Sequence, residues 1–285
     1  TRPLSFLCDR PRASGSGAIR VADRDAPGLV GMEIAFVLAA AFGAGIVDAM
    51  AGGGGLIQLP ALFAVFPNTP HPTLLGTGKL AGLAGTTSAA ARFIRHVRID
   101  WGLVLPAAAG AFVAALAGAW IAIGISPARF RALVPVLLAV VLLYTLLQHR
   151  DFGRIHEPRR GSHGSALAAA TAGAIGLYDG FFGPGTGSFL VFLFVRLFGL
   201  DFLHASASAK IVNAASNLAA ILLFGLTGKI LWLLGLAMAV CNVAGAQVGS
   251  HLAIRHGSGL VRAVFIAVVS CLIAKTAWDA LALSF

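Results

Sequence analysis

Set against itself at an offset of 131 residues, with no gaps, this sequence superposes its least common residues. Asp48 falls on Asp179, Lys79 on Lys210, Trp101 on Trp232 and Arg131 on Arg262. Gly52 and Gly54 fall on Gly183 and Gly185. From position 43 to 133 there are 22 identities in 91 pairs, against about 8 to 10 by chance in a chain this rich in Ala, Gly and Leu. The chain is therefore two copies of one apolar unit, each with an Asp, a glycine-rich break and a Lys. Paired units with a site between them are how many membrane transporters are built.

The units are too apolar for water. Of 285 residues, 58% are hydrophobic and 11% charged, and mean hydropathy is +0.87. A soluble chain of this length has no interior large enough for that surface. Apolar runs of bilayer length recur at Met32–Met50, Leu74–Ala91, Trp101–Gly124, Phe130–Leu147, Ser165–Phe181, Ala205–Leu226, Ile230–Ile254 and Leu260–Leu283. The fold class expected is an all-α polytopic membrane protein. Net charge is +10, but the arginines sit in loops, as in any inner-membrane protein. No basic face with interleaved aromatics exists, so nucleic acid is not an expected partner. Cys8, Cys241 and Cys271 have neither metal-ligand nor disulfide spacing.

Residues 1–31 are polar and rich in Arg, Pro and Gly, and lack the apolar core of a signal peptide. Met32 stands directly before the first apolar run. It reads as the natural start, and the stretch before it as upstream or non-native and poorly ordered. The expected division is a tail at 1–31, a first repeat at 32–148, a basic loop at 149–164 and a second repeat at 165–285.

Two further apolar stretches, Leu56–Phe66 and Ser188–Phe198, have 11 residues each, about 16 Å as helix or half a bilayer. Each follows a glycine cluster, AMAGGGGL at 49–56 and GFFGPGTGS at 180–188. Each repeat thus reads as a helix, a loop, a half-helix and three full transmembrane helices. Irregular backbone at membrane depth survives only inside protein or along a cavity. Broken helices at matching places point to a transport site. Loop arginines set the orientation. Arg92, Arg95 and Arg98 share a side with Arg150, Arg154, Arg159 and Arg160, and Arg196, Arg255 and Arg262 join them; that side is taken as cytoplasmic. Arg129, Arg131 and Lys229 fall outside, as do both termini. An odd number of crossings per unit makes the repeats inverted.

Lys79 and Lys210 each lie near the start of an otherwise apolar helix. An intramembrane cation is costly, by about 2.5–3.5 kcal/mol on insertion scales, and usually faces a pathway; snorkelling to the interface is the bland alternative. Asn213 and Asn217 follow Lys210 on the same helical face, and Gly82 and Thr86 follow Lys79. Thr77, Ser206 and Ser208 add hydroxyls. Ammonium, amide and hydroxyl donors on one stripe suit an oxyanion. The glycine breaks, with Gly53, Gly54 and Gly55 in one and Gly185, Thr186 and Gly187 in the other, start half-helices whose free amides attract anions. Close helix packing is their alternative role. Neither break has the spacing of a soluble phosphate or dinucleotide loop.

Asp48 and Asp179 stand just before the breaks. Three roles stay open: proton carrier, counter-ion to a lysine, or acceptor that braces the loop. The histidines form no metal-ligand pair, and no cofactor is expected. His204 and His251 lie near helix ends and read as interfacial. Lys275 and Asp279 are spaced to pair on the last helix, and Trp101 and Trp232 to anchor helices at the interface. No nucleophile–base or metal arrangement lies at membrane depth, so an enzyme is not expected.

GIVDAMAGGGGLIQLPAL at 45–62, TGKLAGLAGTTSAAARFIR at 77–95, GLYDGFFGPGTGSFL at 176–190 and AKIVNAASNLAAILLF at 209–224 resemble the TauE/SafE family of sulfite-exporter-type permeases. The resemblance covers about 32–283 and is similar to the family's broadly distributed bacterial branch. It implies discontinuous helices in inverted repeats and secondary transport of small sulfur-containing anions: sulfite, thiosulfate or sulfonates. The combined expectation is an inner-membrane anion permease working by alternating access. Its partners are a small anion, the lipid bilayer and protons as a coupling ion. A passive anion channel and a cation transporter built on Asp48 and Asp179 are the rivals. Substrate, direction and oligomeric state are not legible.

Overall fold

The structure is a computed structural model and describes residues 27–130, 133–134, 136–137 and 164–255. The tail before residue 27, most of the Phe130–Leu147 run, the basic loop and the Leu260–Leu283 run with Lys275 and Asp279 lie outside the described residues. Eight helices concern the site: α1 (Pro27–Ala51), α2 (Gly55–Val65), α3 (His71–Ile94), α4 (Trp101–Gly124), α5 (Gly164–Phe181), α6 (Thr186–Phe198), α7 (Phe202–Leu226) and α8 (Trp232–Arg255). No strand occurs among the described residues.

Four segments are long and apolar enough to cross a bilayer: Gly31–Ala51 of α1, α4, α7 and α8. The short apolar helices are α2 and α6, and each starts at the glycine break foreseen for it. The chain marks these ends locally. Gly185 caps α6 at φ 85°, and Gly199 ends it at φ 64°, both left-handed positions that glycine takes without strain. Asp201 Oδ1 then accepts the amides of Leu203 and His204 at 3.0 and 3.2 Å and starts α7. Trp101 and Trp232 open α4 and α8 and are about half exposed.

Helices approach through glycines, and the approaches recur in both units. A Cβ on Gly45 would lie 2.2 Å from the Asn242 carbonyl, and one on Gly176 2.5 Å from that of Ala111. A Cβ on Gly249 would lie 2.3 Å from the Ile46 carbonyl, and one on Gly118 2.1 Å from that of Leu177. Moving each residue by 131 converts one contact of a pair into the other. The first helix of each unit therefore packs on the fourth helix of the other. Both contacts run parallel: Phe42 meets Gly245 and Ile46 meets Gly249, while Ala111 meets Gly176 and Ala115 meets Gly180. The interior of these seams is Ala and Gly. The large apolar side chains point outward instead, with Leu233, Val240, Trp120 and Val113 each more than two-thirds exposed, as expected where lipid is the solvent.

Gly118→Leu tests the seam. The added side chain meets backbone, which does not move aside, so overpacking of at least about 1–3 kcal/mol is expected. The yield of monodisperse protein on size-exclusion chromatography should fall several-fold. Gly124→Ala, whose Cβ meets nothing within 4 Å, should leave it unchanged.

Candidate functional site

The two glycine breaks cross each other. Gly52 has φ 77°, and a Cβ there would sit 2.3 Å from the Gly187 carbonyl carbon. A Cβ on Gly187 would sit 2.6 Å from the Gly52 Cα. The close approach lets Ser188 satisfy the broken end of α1. Its amide donates to the Gly52 carbonyl at 3.2 Å and its hydroxyl to the Ala51 carbonyl at 2.7 Å. Close packing and a broken helix, weighed above as alternatives, are thus one device. Across the crossing, Tyr178 Oη donates to the Pro184 carbonyl at 2.6 Å, and Thr186 Oγ1 to that of Gly183 at 2.7 Å. Both brace the second break.

The lysines reach across as well. Lys79 Nζ, from the first unit, lies 2.6 Å from Asp179 Oδ1 of the second. Lys210 Nζ, from the second, donates to the Asp48 backbone carbonyl of the first and lies 3.8 Å from Asp48 Oδ2. Lys79, Lys210 and Asp179 are buried; neither lysine snorkels. Each aspartate thus has a lysine ammonium within 4 Å, the arrangement that the counter-ion option calls for. Asp48 Oδ2 also accepts Thr86 Oγ1 at 3.0 Å, and Asp179 Oδ2 accepts Ser216 Oγ at 2.7 Å.

Between the pairs is a cavity of about 70 Å³, room for roughly five water positions. Of the residues expected at a site, it brings together Lys79, Thr86, Asn213, Asn217, Asp48, Asp179, Gly54, Gly55 and Gly187. Lys210, Ser208, Gly53, Gly185 and Thr186 are not part of its wall. Among the described residues, the amides of Gly54, Gly55, Gly183 and Gly187 donate to no protein acceptor, and all four residues line the cavity. These are the free donors a broken helix provides. The two pairs differ: Lys79–Asp179 faces the cavity, whereas Lys210 is turned onto backbone.

Gln58, Asn242 and Phe182 are among the wall residues that the sequence reading did not single out. Gln58 and Asn242 are buried and bonded, Asn242 Nδ2 giving to Gln58 Oε1 at 3.0 Å and to the Ala41 carbonyl at 3.1 Å. Gln58 Nε2 gives to the Gly78 carbonyl at 2.8 Å. Each is an amide in an otherwise apolar helix, a signal open to sequence reading. Phe182 also lines the cavity, packed edge-on against Tyr178 and Phe130. His71, a loop residue by sequence, is buried against Phe130 with ring centroids 4.1 Å apart.

A helical membrane protein whose broken helices and opposed charges enclose a central cavity is, by class, a membrane transporter. The profile of the sulfite exporter TauE/SafE family matches residues 37–276, and the chain belongs to that family. It is similar to the probable membrane transporter protein YfcA of Escherichia coli (strain K12), 36% identical over 236 residues, which are 83% of this chain and 86% of the relative. It is likewise similar to the probable membrane transporter protein ORF9 of Sinorhizobium sp, 36% identical over 235 residues, 82% and 88% of the two chains. A probable membrane transporter protein of Haemophilus influenzae is 33% identical over 255 residues, 88% and 97% of the two. No solved structure matches the chain significantly.

Proposed function

We propose that this protein is a secondary transporter of small anions, sulfur oxyanions or organosulfonates such as sulfite, thiosulfate or sulfoacetate, working by alternating access in the bacterial inner membrane. The observation that carries this reading is the cavity wall: the Lys79 ammonium beside four glycines whose amides have no protein acceptor among the described residues. Charge and N–H donors left without a protein acceptor together suit an oxyanion. Asn213, Asn217 and Thr86 supply orientation.

Many alternating-access transporters are built from two related units of opposite direction, and the packing is consistent with that arrangement. In both α1 and α3, residue numbers run the same way as in α8: Phe42 to Gly245 and Ile46 to Gly249, Leu80 to Gly235 and Gly85 to Asn242. We take the six-residue loop 95–100 to reverse the chain between α3 and α4, and α5 runs parallel to α4. On that reading the first helices of the two units, α1 and α5, run in opposite directions. The arginine distribution places 92–98 in the cytoplasm and both chain ends outside.

The cation reading is disfavoured by the same geometry. A cation at Asp48 and Asp179 would meet two ammonium groups already there. A thermal-shift panel of thiosulfate, sulfite, sulfoacetate, sulfate and alkali cations on purified protein separates the readings. A ligand at a hundred times its Kd contributes about 2.7 kcal/mol, which for a chain of this size raises Tm by about 5–10 °C. A shift with at least one sulfur anion is expected. A shift with cations alone would overturn the reading. Counterflow in proteoliposomes then distinguishes a carrier from a passive channel.

A further inference from the structure

The two halves of the site are not equivalent, and the difference lies in what surrounds each carboxylate. Asp179 meets Lys79 from α3 and Ser216 from α7, and Asp48 of α1 lies on the same cavity. Ser216 Oγ stands 2.7 Å from Asp179 Oδ2 and 3.0 Å from the Asn213 carbonyl. Its one proton has two acceptors. With Asp179 ionised, the hydroxyl donates to the carboxylate. With Asp179 protonated, the hydroxyl turns to the Asn213 carbonyl, and its lone pair accepts the proton of the acid. Asp179 thus keeps a hydrogen-bond partner in either state. Asp48 has no such device. The first-unit residue matching Ser216 is Gly85, and Thr86 Oγ1 has Asp48 Oδ2 as its acceptor.

Charge balance gives the device a use. Two lysines and two aspartates make the buried site neutral. An anion that takes Lys79 from Asp179 leaves that carboxylate buried without its counter-ion, unfavourable in a low-dielectric interior, and one proton removes this uncompensated charge whether the anion carries one charge or two. Resting on the anion-transport reading above, we infer that anion and proton bind together: the anion replaces the Asp179 carboxylate on Lys79, and Asp179 takes up one proton, which Ser216 then accepts. The Lys210–Asp48 pair stays closed meanwhile, with Lys210 held by the Asp48 backbone carbonyl. Asp179 is therefore the coupling carboxylate of this conformation and Ser216 its positioning residue.

The test uses the full chain in lipid nanodiscs with thiosulfate, whose charge is constant between about pH 5.5 and 8.5. Above the titration of Asp179, Kd should rise about tenfold per pH unit, and binding should take up about one proton per site. Thiosulfate should also produce a protonated-carboxyl band in the infrared difference spectrum. Asp179→Asn, which imitates the protonated acid, should bind with a Kd independent of pH, with no proton uptake and no band. Asp179→Glu should keep all three signals with a shifted midpoint. Ser216→Ala should move the midpoint without removing the slope. Wild-type binding with no pH slope and no uptake would overturn the inference and leave the anion site standing. So would signals that persist in Asp179→Asn. Absence of thiosulfate binding at every pH, alongside cation-only shifts in the panel above, would remove the anion reading and this inference with it.

Discussion

Gly52→Val is expected to reduce transport to background and to cut the amount of folded protein. Two costs combine. Gly52 has φ 77°, a region where a β-branched residue is strained by about 1–3 kcal/mol. Its new Cβ would also stand 2.3 Å from the Gly187 carbonyl carbon and 2.5 Å from the Ser188 nitrogen, where backbone must shift. Overpacking adds about 1–3 kcal/mol or more, so the sum is a large share of ordinary protein stability. The shift would also pull Ser188 from the carbonyls of Ala51 and Gly52, opening the end of α1. Gly54→Val is the milder probe. Its Cβ would lie 2.5 Å from the Ala44 carbonyl and 2.7 Å from the Asp48 Cβ, pressing on the site without a positive φ. Gly43→Ala, with nothing within 4 Å, should match wild type. Counterflow and size-exclusion profiles on the three variants check this. Wild-type flux in Gly52→Val would show that the crossing of the breaks is not required.

The sequence carried the parts of this site but not their pairing. Asp, glycine break and Lys stand out because each is rare in an apolar chain and occurs twice at one offset. Their order suggests that Asp48 and Lys79, 31 positions apart, belong together. The fold joins Lys79 to Asp179 and Lys210 to Asp48 instead. That exchange follows from the seams: the first helix of each unit packs on the other unit's fourth helix, so neighbours in sequence are separated in space. No periodicity within one helix reports it. Gln58 and Asn242 were overlooked for a different reason. Neither has a polar counterpart at the 131 offset, where Phe189 and Ala111 stand, so reasoning from the repeat passes over them. Ser216 is similar, since Gly85 occupies its matching place. The symmetric residues build the frame, and the unsymmetric ones make the two halves chemically distinct. The bilayer-length runs were legible wherever lipid faces the helix. α3 and α5 are long enough but less apolar, because glycine, serine and threonine hold many of their positions.

Lys79→Ala is expected to abolish anion binding and to destabilise the protein together. The variant leaves Asp179 buried, 1% exposed, with Ser216 as its remaining partner. Removing one member of a buried ion pair costs about 3–5 kcal/mol, because the other charge is left uncompensated. The two effects must be separated, and the double variant Lys79→Ala with Asp179→Ala does so. It removes both charges, so stability should return to within about 1–2 kcal/mol of wild type while binding stays absent. The cycle should give an interaction energy of at least about 2 kcal/mol between the two positions. Lys79→Arg should fold and recover part of the binding, since a planar guanidinium carries the charge in a different shape. Lys210→Ala should behave differently. Lys210 donates to the Asp48 carbonyl and does not line the cavity, so its loss should weaken the fold of the break more than the binding of anion. Thermal unfolding and ³⁵S-thiosulfate binding on six proteins, among them the Asp179→Ala single variant that closes the cycle, provide both readouts. Wild-type affinity in the folded double variant would mean that the Lys79 ammonium does not touch the anion, and the site would then lie elsewhere in the cavity, at the glycine amides alone.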